Sequence, residues 1–206
     1  KSILFANNQI KKDTSEHVRF LNSIIPNFNY KAKSELAIGD TIQAIKTLEI
    51  VSKKFRGNKW TEAGMLSKKI DKDSLSKQYF NESFKFYKKY IKNNPKASGY
   101  HLSLIEAYII SDNLDLAKKQ LSKIENKNFI NKNYHSLILY FKIIINTLND
   151  NSNDFKKEKN ELKNYIKDKN VTLNSWSFKL IKEWIKLANL KEEQKIKIIK
   201  LNNLYK

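Results

Sequence analysis

The sequence predicts an all-α protein, a right-handed α-solenoid of antiparallel helix pairs. Three observations lead there. Only 4 Gly and 2 Pro occur in 206 residues, too few for the many tight turns of an all-β fold. Apolar residues recur at helical spacing, and no stretch alternates as a strand does. The expected helices come in pairs joined by short polar turns, which is how stacked repeats read. Hydrophobic residues make up 40% and charged residues 30%, a balance that suits a folded chain.

Residues 1–13 read as an N-terminal extension and residues 14–206 as one helical domain. A first helix is expected over about Thr14 to Ile25, capped by Asp13, Thr14 or Ser15 and ended by Pro26. A second runs from about Phe28 to Ile38. Gly39 stops it, because glycine takes the left-handed conformation without strain. Asp40 caps a third helix reaching about Phe55, with Ile42, Ala44, Ile45, Leu48 and Val51 at helical spacing. Gly57 closes it. Further helices are expected over about Thr61 to Ile70, Leu75 to Lys92, Gly99 to Ile110, Leu114 to Ile124 and Asn133 to Leu148. The last three span about Phe155 to Lys167, Val171 to Ala188 and Glu192 to Tyr205.

Three of these helices have a distinctive face. Tyr134 to Leu148 is apolar nearly all round, so burial between neighbours is expected. Trp176 and Trp184 lie eight residues apart on one face. A core role is expected of them ahead of an interface role. Lys191 to Lys206 alternates Lys with Ile and Leu. It reads as a terminal cap with a solvated outer face; a membrane-surface helix is the alternative.

The net charge is +19 and the pI about 9.8, which by itself points to nucleic acid or an anionic membrane. Arginine, the preferred residue for bidentate phosphate and guanine contacts, appears only at Arg19 and Arg56. The lysines are spread along the chain with abundant Asn and Ile, residues of AT-rich codons. Genome composition is therefore the favoured source of the charge, and nucleic-acid binding the alternative function.

Catalytic chemistry finds little footing. Cysteine is absent, which removes disulfides and thiolate chemistry. His17, His101 and His135 are far apart, and each is expected to be packed or solvated rather than a metal ligand. There is no glycine-rich phosphate loop and no nucleophile elbow. Glu192 and Glu193 sit at a helix start, where they complement the helix dipole. No catalytic residue, cofactor or metal is expected. No run of about 20 apolar residues exists, so no transmembrane helix is expected; Lys142 interrupts the most apolar segment, Leu137 to Ile145. Ser2 to Ala6 reads as the tail of a signal peptide or as the start of a trimmed chain.

The repeat is visible in two turns. Leu36-Ala37-Ile38-Gly39-Asp40 precedes Ala44, and Ile109-Ile110-Ser111-Asp112-Asn113 precedes Ala117. Leu48 and Leu121 follow at the same step, then Val51 and Ile124. Ser83, Tyr87 and Tyr90 offer the same offsets in between. Ser83 lies 39 residues after Ala44 and 34 before Ala117, and 34 is the tetratricopeptide period. Over Pro26 to Phe129 the chain resembles the tetratricopeptide (TPR) family. Ala44, Ala117 and Ser83 fall where that family places a small residue at a helix crossing. Pro95 matches its terminal proline, Tyr108 its first-helix aromatic and Ala32 its first-helix small residue; Glu35 and Ile105 depart from the last two. From 130 to 206 the pairs continue with weaker signatures.

A narrower resemblance runs from Gly39-Asp40 through Ala44-Ile45 to Leu48–Phe55, then Lys88 to Pro95. It is similar to bacterial outer-membrane barrel-assembly lipoproteins of the D-subunit type. The two resemblances imply a non-catalytic protein–protein interaction scaffold in the bacterial cell envelope or periplasm, lipid-anchored through a segment upstream of Lys1. A cytoplasmic place is the alternative. The partner, another protein, is expected in the concave groove formed by first helices. Asn29, Lys33 and Leu36 would line it in the first repeat, and Leu102, Glu106 and Ile109 in the third. Leu102 and Ile109 have core packing as their competing role.

Overall fold

In the computed structural model the described residues are 21–54, 59–128, 130–150, 155–171 and 179–205. All regular structure among them is helical. We number the helices α1 (Leu21–Ala37), α2 (Thr41–Lys54), α3 (Trp60–Lys69), α4 (Asp73–Asn93), α5 (Ser98–Ile110), α6 (Leu114–Ser122), α7 (Lys132–Leu148), α8 (Phe155–Asp168), α9 (Lys179–Leu187) and α10 (Glu192–Asn202). A 3₁₀ turn, Asn203–Tyr205, follows α10. The all-α expectation therefore holds for the described residues. They divide into two compact units, one up to Ser83 and one from Phe84 onward, with the division inside α4.

One expected boundary is absent. Pro26 does not end a helix; α1 runs through it to Ala37. A proline inside a helix removes one backbone hydrogen bond and crowds the carbonyl four residues back, at a cost of about 3 kcal/mol. Phe28 and Ala32, both buried on the same helix, offset that cost by packing. The rest of the expected first helix, up to residue 20, lies outside the described residues. So do Phe55 and Gly57.

Three of the turns between helices share one design. Gly39 (φ 85°), Asp71 (φ 56°) and Asp112 (φ 64°) each take the left-handed conformation just after a helix. In each case the next residue's N–H reaches back five residues: Asp40 to Glu35 O at 2.9 Å, Lys72 to Ser67 O at 2.9 Å and Asn113 to Tyr108 O at 2.8 Å. The left-handed residue itself donates three back, to Leu36, Lys68 and Ile109. This pair of bonds satisfies carbonyls that the helix end would leave open. The following helix starts at once, and Asp40 Oδ1 caps α2 by accepting from Gln43 N–H at 3.0 Å. Asn170 (φ 47°) repeats the pattern after α8, with Val171 N–H bonded to Ile166 O at 2.9 Å.

Counting from the left-handed residue puts three helix–turn–helix segments in register. Eleven residues before it stand Phe28, Trp60 and His101. Seven before it stand Ala32, Gly64 and Ile105. Five after it stand Ala44, Ser76 and Ala117, and nine after it Leu48, Phe80 and Leu121. All twelve are buried. The middle segment shows why small residues are needed. A Cβ on Gly64 would meet the Phe80 ring at 3.0 Å, and Ser76 Oγ donates to Gly64 O at 2.8 Å.

This register corrects the sequence reading of the middle repeat. The residue equivalent to Ala44 and Ala117 is Ser76, not Ser83. The two differ by seven residues, two helical turns, so both lie on one face and both are buried. Ser83 instead shares a 2.7 Å hydrogen bond with Thr61 of α3. Asp71 is what decides, because the turn sets where the count begins. The extra length then falls in α4, which at 21 residues is the longest described helix.

The unit before the division has a core of α1, α2, α3 and the first part of α4. Tyr79 donates to Glu49 Oε2 at 3.0 Å and lies against Trp60 with ring centroids 5.6 Å apart. In the second unit α7 is the centre. Its Ile138, Tyr140 and Ile144 are fully buried, as its apolar circumference led one to expect. Trp184 of α9 is in the core as expected, while Trp176 lies outside the described residues. α10 buries Ile198 and Leu201, and Gln194 Nε2 donates to Thr147 O at 3.2 Å and Leu148 O at 3.3 Å at the end of α7.

Ala44→Leu and Ala117→Leu place a large side chain at positions with no exposed surface. Each is expected to lower stability by about 1–3 kcal/mol, read from denaturant unfolding. Unchanged midpoints for both would mean that the paired helices do not cross there.

Candidate functional site

The residues expected to line a groove divide by helix. On α1, Asn29 and Leu36 are half-buried and Lys33 is exposed, spaced so that they share one face. Lys33 Nζ lies 5.7 Å from the ring centre of Tyr30, which is itself 63% exposed. Beneath this face a polar group ties α1 to α2. Glu35 is buried, bonded by Lys31 Nζ and by Thr47 Oγ1, the latter donating at 2.8 Å. Charge at the base of the helix is thus paired, and the exposed face is left to Tyr30, Lys33 and their neighbours.

On α5 the arrangement differs. Leu102 is 5% and Ile109 0% exposed. Both are packed core side chains and present no free surface in this structure. The reason is visible in α5 itself, where nine of its residues are buried. In a helix that apolar, packed against α6, α7 and α9, these two side chains belong to the core.

Glu106 keeps some exposed area, but its carboxylate meets the start of α9 and accepts a hydrogen bond from the Ile181 N–H. Burial pushes its carboxyl up to about 8, against that bond, which favours the charged form. The group therefore holds a proton over most of the neutral range.

His101, expected to be packed or solvated, is buried. Nε2 lies 2.9 Å from Pro95 O and Nδ1 lies 2.7 Å from Gln120 Nε2. A carbonyl only accepts, so Nε2 carries the proton and Nδ1 accepts from the Gln120 amide. Both ring nitrogens are engaged in holding α5 to its neighbours. Among the described residues no cluster of three or more His, Asp or Glu is placed to hold a metal ion, and no helix is long and apolar enough to cross a membrane.

Sequence reasoning missed one feature. A cleft of about 400 Å³ lies among the second half of α4, α5 and α6. Its walls carry Lys88 and Lys92 from α4, with Lys119 and Lys123 from α6 and the residue after it. Apolar side chains including Ile91, Leu104 and Leu116 lie between them. The signal was present as two lysine pairs at four-residue spacing. Nothing in one dimension says that the two pairs face each other.

The raised Glu106 carboxyl gives a pH dependence with a definite sign. Below about pH 4.5, folded and unfolded chains both hold the proton. Between there and about pH 8 the unfolded chain loses it first, so this contribution to stability drains away as pH rises. Glu106→Gln is expected to remove that component. The difference in melting temperature between wild type and variant should shift in the variant's favour from about pH 5 to about pH 9. A difference that does not vary with pH would contradict the assignment.

No protein-family model, curated protein or solved structure matches this chain.

Proposed function

We propose that the chain is a non-catalytic binding module, a TPR-like α-solenoid of antiparallel helix pairs that holds another protein in the bacterial cell envelope. One observation supports this above the rest: the recurrence of buried residues at fixed steps from three left-handed turns. The TPR pattern carries a Trp, a Gly four residues on, then an Ala with a Phe four residues after it. Trp60, Gly64, Ser76 and Phe80 fall at those steps in the middle segment, and Ala44 with Leu48 and Ala117 with Leu121 in the others. Such repeats offer surface rather than a reaction centre, because each unit buries its apolar face on its neighbours and leaves the outer helix faces free.

The partner face proposed here is that of α1, where Asn29, Lys33 and Leu36 join Tyr30. An exposed aromatic beside an unburied ammonium is a good anchor, since the ring supplies area and the charge sets orientation. Nucleic-acid binding is the competing reading.

The test uses a photo-crosslinking residue at position 33 in cells, with duplex DNA binding measured in parallel. The proposal expects one dominant protein adduct, lost when Tyr30 is also changed to Ala, and DNA binding no tighter than the non-specific range of about 10⁻⁴–10⁻⁶ M at physiological salt. Sub-micromolar DNA binding that falls steeply with salt, with no protein adduct, would overturn it.

A further inference from the structure

We propose that the cleft bordered by α4, α5 and α6 docks an acidic amphipathic segment of a protein partner, its apolar side chains on the floor and its carboxylates against the lysine rims. The inference rests on the reading of the chain as a binding module and adds the site and the chemistry of the ligand.

The charge is one-sided. Lys88 and Lys92 stand one turn apart on α4, and Lys119 and Lys123 stand one turn apart on the facing wall. All four are exposed, and none reaches a carboxylate at ion-pair distance among the described residues. Four like charges around one concavity repel each other and gain from an anionic guest. The lysine stems also extend the apolar wall, leaving the ammonium groups at the lip.

The floor selects among anions. Leu116, which lines the cleft, is 43% exposed and offers a large aliphatic surface. Ile91, which also lines it, is half-buried. These groups reward an apolar side chain, which a phosphate backbone does not bring. A nucleic-acid base would need an open aromatic face or a free polar edge. Tyr108 is only 3% exposed, with its ring 4.6 Å from that of Phe84, and the Gln120 amide is engaged by His101. A flat membrane cannot enter a concave site. A helix with leucines on one side and glutamates flanking them matches both the apolar lining and the lysines around it.

The probe is a fluorescent helical peptide with one Leu face flanked by Glu, titrated into the intact chain and followed by anisotropy. Control peptides replace Glu by Gln or Leu by Ser, and a short single-stranded DNA is run beside them. The Glu/Leu peptide should bind, and each control peptide about tenfold or more weaker. Lys92→Glu with Lys119→Glu should cost about tenfold or more, Lys92→Ala with Lys119→Ala less in the same direction, and Leu116→Ser a comparable loss. Lys46→Glu, at an exposed position of α2 outside both proposed surfaces, should leave binding unchanged. An unaltered circular dichroism melting curve confirms that each variant is folded. Equal binding by wild type and the charge-reversed variant overturns the cleft while leaving the module reading to the crosslinks at position 33. So does absence of peptide binding. Tighter binding of the DNA, lost in the same variant, overturns the choice of a protein ligand.

Discussion

Three helix-to-helix turns, after α1, α3 and α5, depend on a single residue held at positive φ. For an L-residue that conformation costs about 1–2 kcal/mol, least for Asn and Asp, whose short side chains tolerate it. Gly39 avoids the cost altogether, while Asp71 and Asp112 accept it. What offsets it is the pair of backbone bonds that close the helix end, at 2.8–3.2 Å in all three turns. Because only three residues separate the helices, the next helix begins in a fixed phase. That phase buries Ala44, Ser76 and Ala117. The small residues are a consequence of the turn, and the buried Leu48, Phe80 and Leu121 four residues on follow from the same phase.

The fold class was legible because helices announce themselves locally. Periodicity, Gly39 and Asp40 are one-dimensional signals, and the ends of α5, α6, α7 and α8 lie within two residues of expectation. Phase was harder to read. Ser76 and Ser83 sit two turns apart on one buried face, and composition cannot choose between them. The choice belongs to Asp71, a left-handed residue that is not a glycine and so leaves a weaker signal. Pro26 misled for the opposite reason: its local preference is strong, and tertiary packing of Phe28 and Ala32 overrides it.

The candidate surfaces were legible only in part. Asn29, Lys33 and Leu36 keep surface because α1 carries apolar residues on a limited arc. Leu102 and Ile109 do not, because α5 is apolar on every side and is enclosed by α6, α7 and α9. Glu106 shows what that enclosure does to a carboxyl left among apolar neighbours: it becomes a buried acid bonded to the first turn of α9. The lysine-rimmed cleft depends on how α4 and α6 come together on α5, which is tertiary information. Its net positive potential is a local expression of a composition that, read along the chain, looks uniform.

Hydrogen exchange at the turn amides tests this account most directly. Asp40 and Lys72 are exposed residues and Asn113 is half-buried, so their N–H groups would exchange quickly in an ordinary loop. The account predicts protection at all three, close to that of the helices on either side, because each N–H is committed to the carbonyl five residues back. Exchange at the rate of unstructured chain at Asp40, Lys72 and Asn113, with the flanking helices protected, would contradict it.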